Sequence, residues 1–320
     1  MPQISVVVPV FNEEESLPEL TQWISRVMLD HGFSYELIFI NDGSSDNSWG
    51  IINTLALAGD EIKGINFTRN YGKSAALDAG FKKASGDVVI TMDADLQDSP
   101  DEIPGLFVMI TEGKFDVVSG WKKERHDPLG KTIPSRFFNG VTRWISGIKL
   151  HDFNCGLKAY RLKVVKNIQI YGEMHRYIPL LAKWNGFGRI GEKVVQHQAR
   201  KYGYSKFGIE RFLNGFLDLI SVSFVHRYKK KPMHFFGFLG SFSFLAGFVI
   251  TCWLIFEKIY GLSKGYKVRE ITDQPLFFLA LVALIIGVQL FVTGFIAELM
   301  TSNQSKDTEY KIDEEINFDF

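Results

Sequence analysis

Cysteine is scarce in this chain, with only Cys155 and Cys252 among 320 residues, so a disulfide-stapled scaffold is excluded. An excess of one charge is missing too. Lys and Arg number 36 against 36 Asp and Glu, which removes a globally basic nucleic-acid binder from consideration. No basic segment precedes the first apolar run of MPQISVVVPVFNEEE, and that run ends in acids, so no secretory leader is expected. Residues 1–203 are therefore expected to stay on the side of synthesis. Common phosphate and metal signatures are also lacking. No G-x-G-x-x-G follows a strand, and Gly72-Lys73-Ser74 fails as a phosphate loop because Phe67 occupies the first glycine position. Neither H-E-x-x-H nor paired C-x-x-C occurs, so zinc is not indicated.

What the chain does have is unevenly placed. Residues 301–320 hold six acids and two lysines, a net of −4, so residues 1–300 carry +4. Residues 201–232 hold seven Lys and Arg against two acids, directly before two long uncharged stretches. The first runs from Met233 to Phe256 over 24 residues and the second from Pro275 to Ala297 over 23. A helix needs about 20 apolar residues to cross a hydrocarbon core. Two transmembrane helices are therefore predicted, at 233–256 and 275–299, joined by a loop at 257–274 and followed by an acidic tail at 300–320. Loop charge gives no vote on orientation, because Arg227 and Lys229–Lys231 before the first span are matched by Lys258, Lys264, Lys267 and Arg269 between the spans. Within the segment 204–232, Ile209, Phe212, Leu213, Phe216 and Ile220 recur at helical spacing, which predicts an amphipathic helix lying at an anionic bilayer surface.

Short apolar runs alternate with helical patterns through the first 120 residues. Ile4–Val10, Glu36–Ile40, Gly64–Phe67, Asp87–Met92 and Asp116–Ser119 read as strands. Glu14–Leu29, Lys73–Lys83 and Pro100–Thr111 read as helices. The apolar runs are continuous, so both faces of the sheet are covered, and the alternation predicts an α/β fold with a mostly parallel sheet. Such sheets bind ligands beyond the carboxyl ends of their strands. The unusual polar residues gather there, at Asn12-Glu13, Asn41-Asp42-Gly43-Ser44, Thr68-Arg69-Asn70 and Asp93-Ala94-Asp95-Leu96-Gln97. Any one of these reads as turn chemistry, but four at one sheet edge point to a site. Asp93 and Asp95 flank one residue at a strand end, where two uncompensated carboxylates would repel, so a hard divalent cation completed by phosphate oxygens is their economical partner.

These residues carry a resemblance. SVVVPVFNEEE (5–15), LIFINDGSS (37–45), RNYGKSAALDAG (69–80) and TMDADLQDSP (91–100) resemble family 2 glycosyltransferases of the Rossmann-like GT-A fold. DFNCGLKAY (152–160) and RKYGYSKF (200–207) narrow the resemblance to the polyprenyl-phosphate branch, the bactoprenol glucosyltransferases and dolichol-phosphate mannose synthases. It spans residues 3–300, and the two C-terminal spans suit the bactoprenol type. The resemblance implies an enzyme of the cell envelope, in the inner membrane as a multi-pass protein with its catalytic domain cytoplasmic. It would transfer one hexose, with inversion, from a nucleotide-sugar donor of the UDP-glucose or GDP-mannose type to a polyprenyl phosphate such as undecaprenyl phosphate. Its cofactor would be Mg2+ or Mn2+, held by Asp95 with Asp93. Pro9, Asn12 and Glu13 would line the nucleotide pocket, Asp42 would hold base or ribose, and Gln97 would lie beside the sugar. Asp152 matches the acid near the acceptor, and Arg200 and Lys206 match cations that meet phosphates. Assembly as a homo-oligomer is left open.

One departure stands out: Lys73 sits where many relatives carry His or a neutral residue. The processive polysaccharide synthases carry Q-x-x-R-W after the acceptor-site acid, whereas here Arg143-Trp144 has Gly140 in place of the glutamine and precedes Asp152. Two rivals remain: a transferase acting on a sugar hydroxyl of a lipid-linked glycan, and a non-catalytic nucleotide-sugar sensor or scaffold.

Overall fold

The computed structural model describes residues 1–123, 139–144, 146–198, 201–202, 224, 228, 231–302 and 312–317. Arg200, Lys206 and the helical stripe from Ile209 to Ile220 lie outside the described residues. The chain forms two compact units, Met1–Leu219 with Thr308–Phe320, and Ile220–Asp307.

The first unit is an α/β domain. Strand β1 (Ile4–Val10) is buried along its length apart from half-buried Pro9, because its valines and isoleucine point into apolar cover on both faces. It pairs in parallel with β2 (Tyr35–Asn41) on one side and β4 (Val88–Thr91) on the other, while β2 continues to β3 (Ile62–Phe67). Helices α1 (Leu17–Asp30), α2 (Ser48–Ala58) and α3 (Lys73–Lys83) make the crossovers. After β4 come helix α4 (Ile103–Thr111) and β5 (Val117–Trp121), then β6 (Lys158–Arg161) and β7 (Ile190–Val194). With β8 (Ile312–Ile316) the sheet has eight strands in the order β7-β5-β6-β4-β1-β2-β3-β8. The chain steps outward from β1 through β2 to β3, then returns to the other flank of β1 as β4. That reversal opens a crevice at the carboxyl ends of β1 and β4.

The predicted parallel half is present, with boundaries that differ by one or two residues. The first predicted helix starts later than the pattern suggests, at Leu17, because Pro18 favours the first turn and the Ser16 hydroxyl is engaged with the Glu13 carbonyl at 3.0 Å. The segment Pro100–Thr111 divides into a 3-10 turn at Pro100–Glu102 and α4. The sheet is mixed, since β6 runs antiparallel to β4 and β5, and β8 antiparallel to β3.

Strand β8 has no apolar run to announce it. Its sequence IDEEI places Ile316 against the core, while the Trp49 indole donates to the Glu314 carboxylate at 3.0 Å. The Asn317 amide then donates to the Ala56 and Ile62 carbonyls at 2.9 and 3.0 Å. The acidic tail therefore covers the otherwise open edge of β3, where unpaired N–H and C=O groups would template aggregation.

In the second unit, Pro232–Ser263 and Pro275–Ser302 form two long helices. Their apolar windows are only 17% and 11% buried, which is the reverse of a soluble core helix and fits a lipid surround. The seam between them is lined by small residues. A Cβ on Gly240 would stand 2.7 Å from the Gly287 carbonyl oxygen, one on Gly247 2.7 Å from that of Ala280, and one on Gly287 2.6 Å from the Phe244 nitrogen. Close packing of backbones through small residues is how helices associate where no hydrophobic driving force exists. The Ser243 hydroxyl donates to the Ala283 carbonyl at 2.9 Å, and Glu298 accepts the Met233 N–H at 3.1 Å, near the positive end of the first helix.

Ending the chain after Ser302 removes β8 and leaves β3 as a bare edge. Hydrogen exchange of the β3 amides is expected to quicken at least about tenfold in the shortened chain, with β1 unchanged, as edge opening without global unfolding requires. Equal protection of β3 in both chains would show that β8 adds nothing to this edge.

Candidate functional site

The crevice is lined by two of the sequence-predicted residues, Pro9 and Asp93, while Asn12, Glu13, Asp42, Asp95 and Gln97 follow the carboxyl ends of β1, β2 and β4. Asn12 has a left-handed backbone (φ +57°), and its side-chain oxygen accepts the Ser45 N–H at 2.8 Å while its own N–H donates to the Ser44 hydroxyl at 2.9 Å. The Glu13 N–H donates to the Ser48 hydroxyl at 3.0 Å. Asn12 and Glu13 thus bind the loop after β1 to the loop after β2. Gly43 in that second loop also needs φ +66°, and a Cβ there would overlap the backbone of Arg69.

Asp42 is buried, and its two carboxylate oxygens accept the backbone N–H groups of Tyr71 (2.7 Å) and Gly72 (2.9 Å). Burial raises its pKa, and these two hydrogen bonds oppose the rise. Asp42 therefore holds the turn that launches α3, and with it the position of Lys73.

Lys73, the departure noted in the sequence, has a definite partner here. Its ammonium forms an ion pair with the Asp93 carboxylate. Burial alone would raise the Asp93 pKa, but Lys73 at contact distance, with Lys122 and Lys158 farther off, outweighs burial and lowers it to about 2. Of the two acids expected to share a cation, Asp93 already has a protein counter-charge. Close approach is permitted by Gly156, where a Cβ would stand 2.6 Å from Asp93 Oδ2. Asp95 is buried, and its Oδ1 accepts the Gln97 N–H at 3.2 Å. Leu96 between them holds φ +60°, an unusual backbone for a side chain of this size.

The strain at Leu96 is held by the pairing of the two residues that follow it. The Gln97 carbonyl accepts the Gln198 N–H at 2.9 Å, and Asp98 bridges to His197 as an isolated β-pair. Asp98 is fully buried and meets the Lys122 ammonium at 2.9 Å. Burial would lower the Lys122 pKa, yet the charge of Asp98 more than offsets that and raises it.

Asp152 is buried in the loop before β6, with Oδ1 accepting the Asn154 N–H at 3.0 Å and its carbonyl accepting the Ser119 hydroxyl at 3.2 Å. Three further residues in the crevice were not anticipated: Lys158, His175 and Arg176 line it together with Pro9, Asp93 and Asn154. Lys158 had a legible signal, a cation within the apolar LKAY stretch. His175 and Arg176 had none, because their turn at Met174–Tyr177 carries no motif. Among the described residues, no group of three or more His, Cys, Asp and Glu gathers to hold a metal. A cation here would rest on Asp95 and draw its remaining ligands from a substrate. Hard carboxylate oxygen beside an open crevice fits Mg2+ or Mn2+ in that role.

A Rossmann-like sheet with an Asp-x-Asp at the end of its fourth strand, joined to two lipid-type helices, is the architecture of a GT-A glycosyltransferase. The chain belongs to the family described as "Glycosyl transferase family 2", whose pattern matches residues 5–169. It is 38% identical over 311 residues to a "Dodecaprenyl-phosphate galacturonate synthase" of Rhizobium johnstonii, covering 95% of this chain and 89% of that protein. It is 35% identical over 300 residues to an "Undecaprenyl-phosphate 4-deoxy-4-formamido-L-arabinose transferase" of Pseudomonas aeruginosa, covering 93% and 84%. Among solved structures, a glucosyl-3-phosphoglycerate synthase from Mycobacterium tuberculosis, crystallised with Mn2+ and UDP-glucose, shares the fold at TM-score 0.52 and 21% identity, over 70% of this chain and 79% of that one. The protein is thus a glycosyltransferase, and the scaffold rival falls.

Asp93 and Asp98 should separate function from stability. Asp98→Ala strands the buried Lys122 charge and is expected to cost about 3–5 kcal/mol in urea unfolding. Asp93→Asn, at a third-exposed side chain, should lower stability modestly at neutral pH, where its ion pair with Lys73 is intact, and abolish turnover. Because the Asp93 pKa is depressed on folding, its stabilising contribution is full above the ordinary carboxylate value of about 4 and fades as pH falls toward 2. The urea midpoints of wild type and Asp93→Asn should therefore draw together as pH falls from 5 toward 2. A constant separation across that range would mean that Lys73 does not set the ionisation of Asp93.

Proposed function

We propose that this glycosyltransferase moves a single sugar from a nucleoside-diphosphate donor to a polyprenyl phosphate at the cytoplasmic membrane face, with inversion at the anomeric carbon. One observation carries the reading. Likeness to enzymes named for dodecaprenyl- and undecaprenyl-phosphate extends over nine-tenths of the chain, so it includes the two lipid-type helices as well as the crevice. An acceptor whose isoprenoid tail stays in the bilayer requires an enzyme held at that surface. The basic residues around Arg227–Lys231 would add attraction to anionic headgroups, at about 1 kcal/mol each.

The donor's nucleotide lies along the loops after β1 and β2, with Pro9, Asn12, Glu13 and Asp42 shaping its pocket. Gln97 stands beside the sugar. Asp95 would hold Mg2+ or Mn2+, which when bound supplies positive charge to the departing diphosphate. Lys73 fixes Asp93 at the reacting end of the crevice, and Arg200 with Lys206 would meet phosphate groups. The acceptor provides its own nucleophile, since a phosphate monoester with a second pKa near 6 is largely dianionic at pH 7. Asp152, engaged with the backbone of its own loop, then positions the acceptor site and need not remove a proton. The catalytic domain faces the compartment in which nucleotide sugars are made. Two crossings return the tail to that same side, in keeping with β8 as part of the catalytic sheet.

The test is turnover by the full chain in detergent, with a radiolabelled nucleotide sugar and undecaprenyl phosphate. A lipid-linked monosaccharide is expected, lost with excess chelator, restored by Mg2+ or Mn2+, and reduced at least about 10²-fold in Asp95→Asn. Activity indifferent to chelation would remove the metal from Asp95. Label on a glycan hydroxyl in place of the prenyl phosphate would favour the hydroxyl-acceptor rival.

The pH–rate curve offers a second check on Asp152. It should rise with ionisation of the lipid phosphate, and the rise should persist in Asp152→Asn whatever its residual rate. A rising limb confined to the wild type would make Asp152 the titrating base.

A further inference from the structure

The cavity that holds the Lys73–Asp93 pair is a recess walled also by Lys158, His175 and Arg176, which come from β6 and the turn before the helix Ile178–Trp184. Charge and hydrogen-bond direction in this recess agree with each other. Lys73, Lys158 and Arg176 bring three cationic groups against the single carboxylate of Asp93. The charge of Lys73 is already met by Asp93. Lys158 is buried on β6 and donates to the Cys155 carbonyl, a neutral partner. Its pKa is lowered chiefly by burial, with Lys73 adding to the drop while Cys155, Asp152 and Asp93 pull the other way. The recess thus carries an excess of positive charge within the described residues, and charges removed from water call for a counter-ion.

His175 supplies direction. The Ser74 hydroxyl accepts the His175 backbone N–H at 3.0 Å and lies 3.1 Å from the ring Nδ1. When that hydroxyl gives its proton to Nδ1, which also lies 3.9 Å from a Glu173 carboxylate oxygen, the ring's own proton sits on Nε2. Burial and the neighbouring charges of Lys73, Arg176 and Lys158 keep that ring neutral, well below its ordinary pKa. In that tautomer the wall presents donors: two ammonium groups, a guanidinium and an imidazole N–H. A neutral sugar hydroxyl would leave the charge unmatched, whereas an oxyanion offers only acceptors and satisfies charge and hydrogen bonding at once.

We infer that the recess of Lys158, His175 and Arg176 is an oxyanion subsite that receives a carboxylate or phosphate group of a substrate. This rests on the transferase reading and adds a chemical requirement to it. The oxyanion has two sources in such a reaction: a carboxylate on the transferred sugar, as in a uronic acid, or the phosphate of the prenyl acceptor. Either would be held one residue shell from Asp93, at the reacting end of the crevice.

The two sources separate by binding, with the full chain in detergent. In the donor arm, dissociation constants are measured for UDP-galacturonate and UDP-galactose, which differ only in a carboxylate against a hydroxymethyl group. In the acceptor arm, the probes are undecaprenyl phosphate and undecaprenol. Wild type is expected to prefer the charged member of one pair at least tenfold, and Arg176→Gln and His175→Ala should each erase that preference while leaving the neutral probe's affinity within about twofold. Loss in the donor arm assigns the subsite to the sugar, and loss in the acceptor arm assigns it to the lipid phosphate. The inference is overturned if wild type shows no preference in either arm, if the preference survives both substitutions, or if charged and neutral probes weaken together. Turnover is scored separately: a wild type that binds with the expected preference yet forms no lipid-linked sugar would overturn the transferase reading and leave the subsite standing.

Discussion

A carboxylate at the end of a buried strand must find positive charge close by, and in this protein Asp93 finds it in Lys73. Much of the site follows from that pair. Lys73 opens α3, so the turn before α3 must be held, and Asp42 holds it through the N–H groups of Tyr71 and Gly72. Asp93 needs room on its other side, so residue 156 must lack a Cβ. The next acid, Asp95, accepts the Gln97 N–H across the left-handed Leu96, and the loop is pinned by Asp98 against Lys122. Two acids separated by a single residue thereby acquire different work. One is neutralised by the protein, and the other fastens the turn at Leu96 through its bond to the Gln97 N–H.

The second unit obeys a different solvent. Its helices expose apolar side chains outward and bring their backbones together along Gly240, Gly247 and Gly287, so the specificity of their contact lies in shape. Phe224, Tyr228, Phe235 and Phe236 cluster at the start of the first helix, with ring centroids 4.9–6.0 Å apart between contacting pairs. Aromatic groups at a helix end are well suited to a membrane interface. The acidic tail that follows belongs again to the catalytic sheet, where Trp49 and Asn317 tie it down. Tail and catalytic domain are thereby coupled by main-chain pairing, and the edge of β3 is closed by the chain's own end.

The amino-acid sequence by itself determined the parallel half of the sheet, the gathering of polar loops at one edge and the two long helices. Each of these depends on local pattern: continuous apolar runs for β1, β2 and β4, helical spacing for α3, and sheer apolar length for the spans. What only the tertiary structure decided are the contacts between residues far apart in the chain. Lys73 lies 20 residues before Asp93, Ser74 lies 101 before His175 and Trp49 lies 265 before Glu314, and no periodicity links such partners. Strand β8 escaped detection because IDEEI is mostly acidic and gains its strand conformation from the waiting edge of β3. Asp93 was expected to share a metal with Asp95 because two uncompensated carboxylates at one strand end would repel. Folding brought a cation from another loop, and a charge is compensated by whatever lies near it in space.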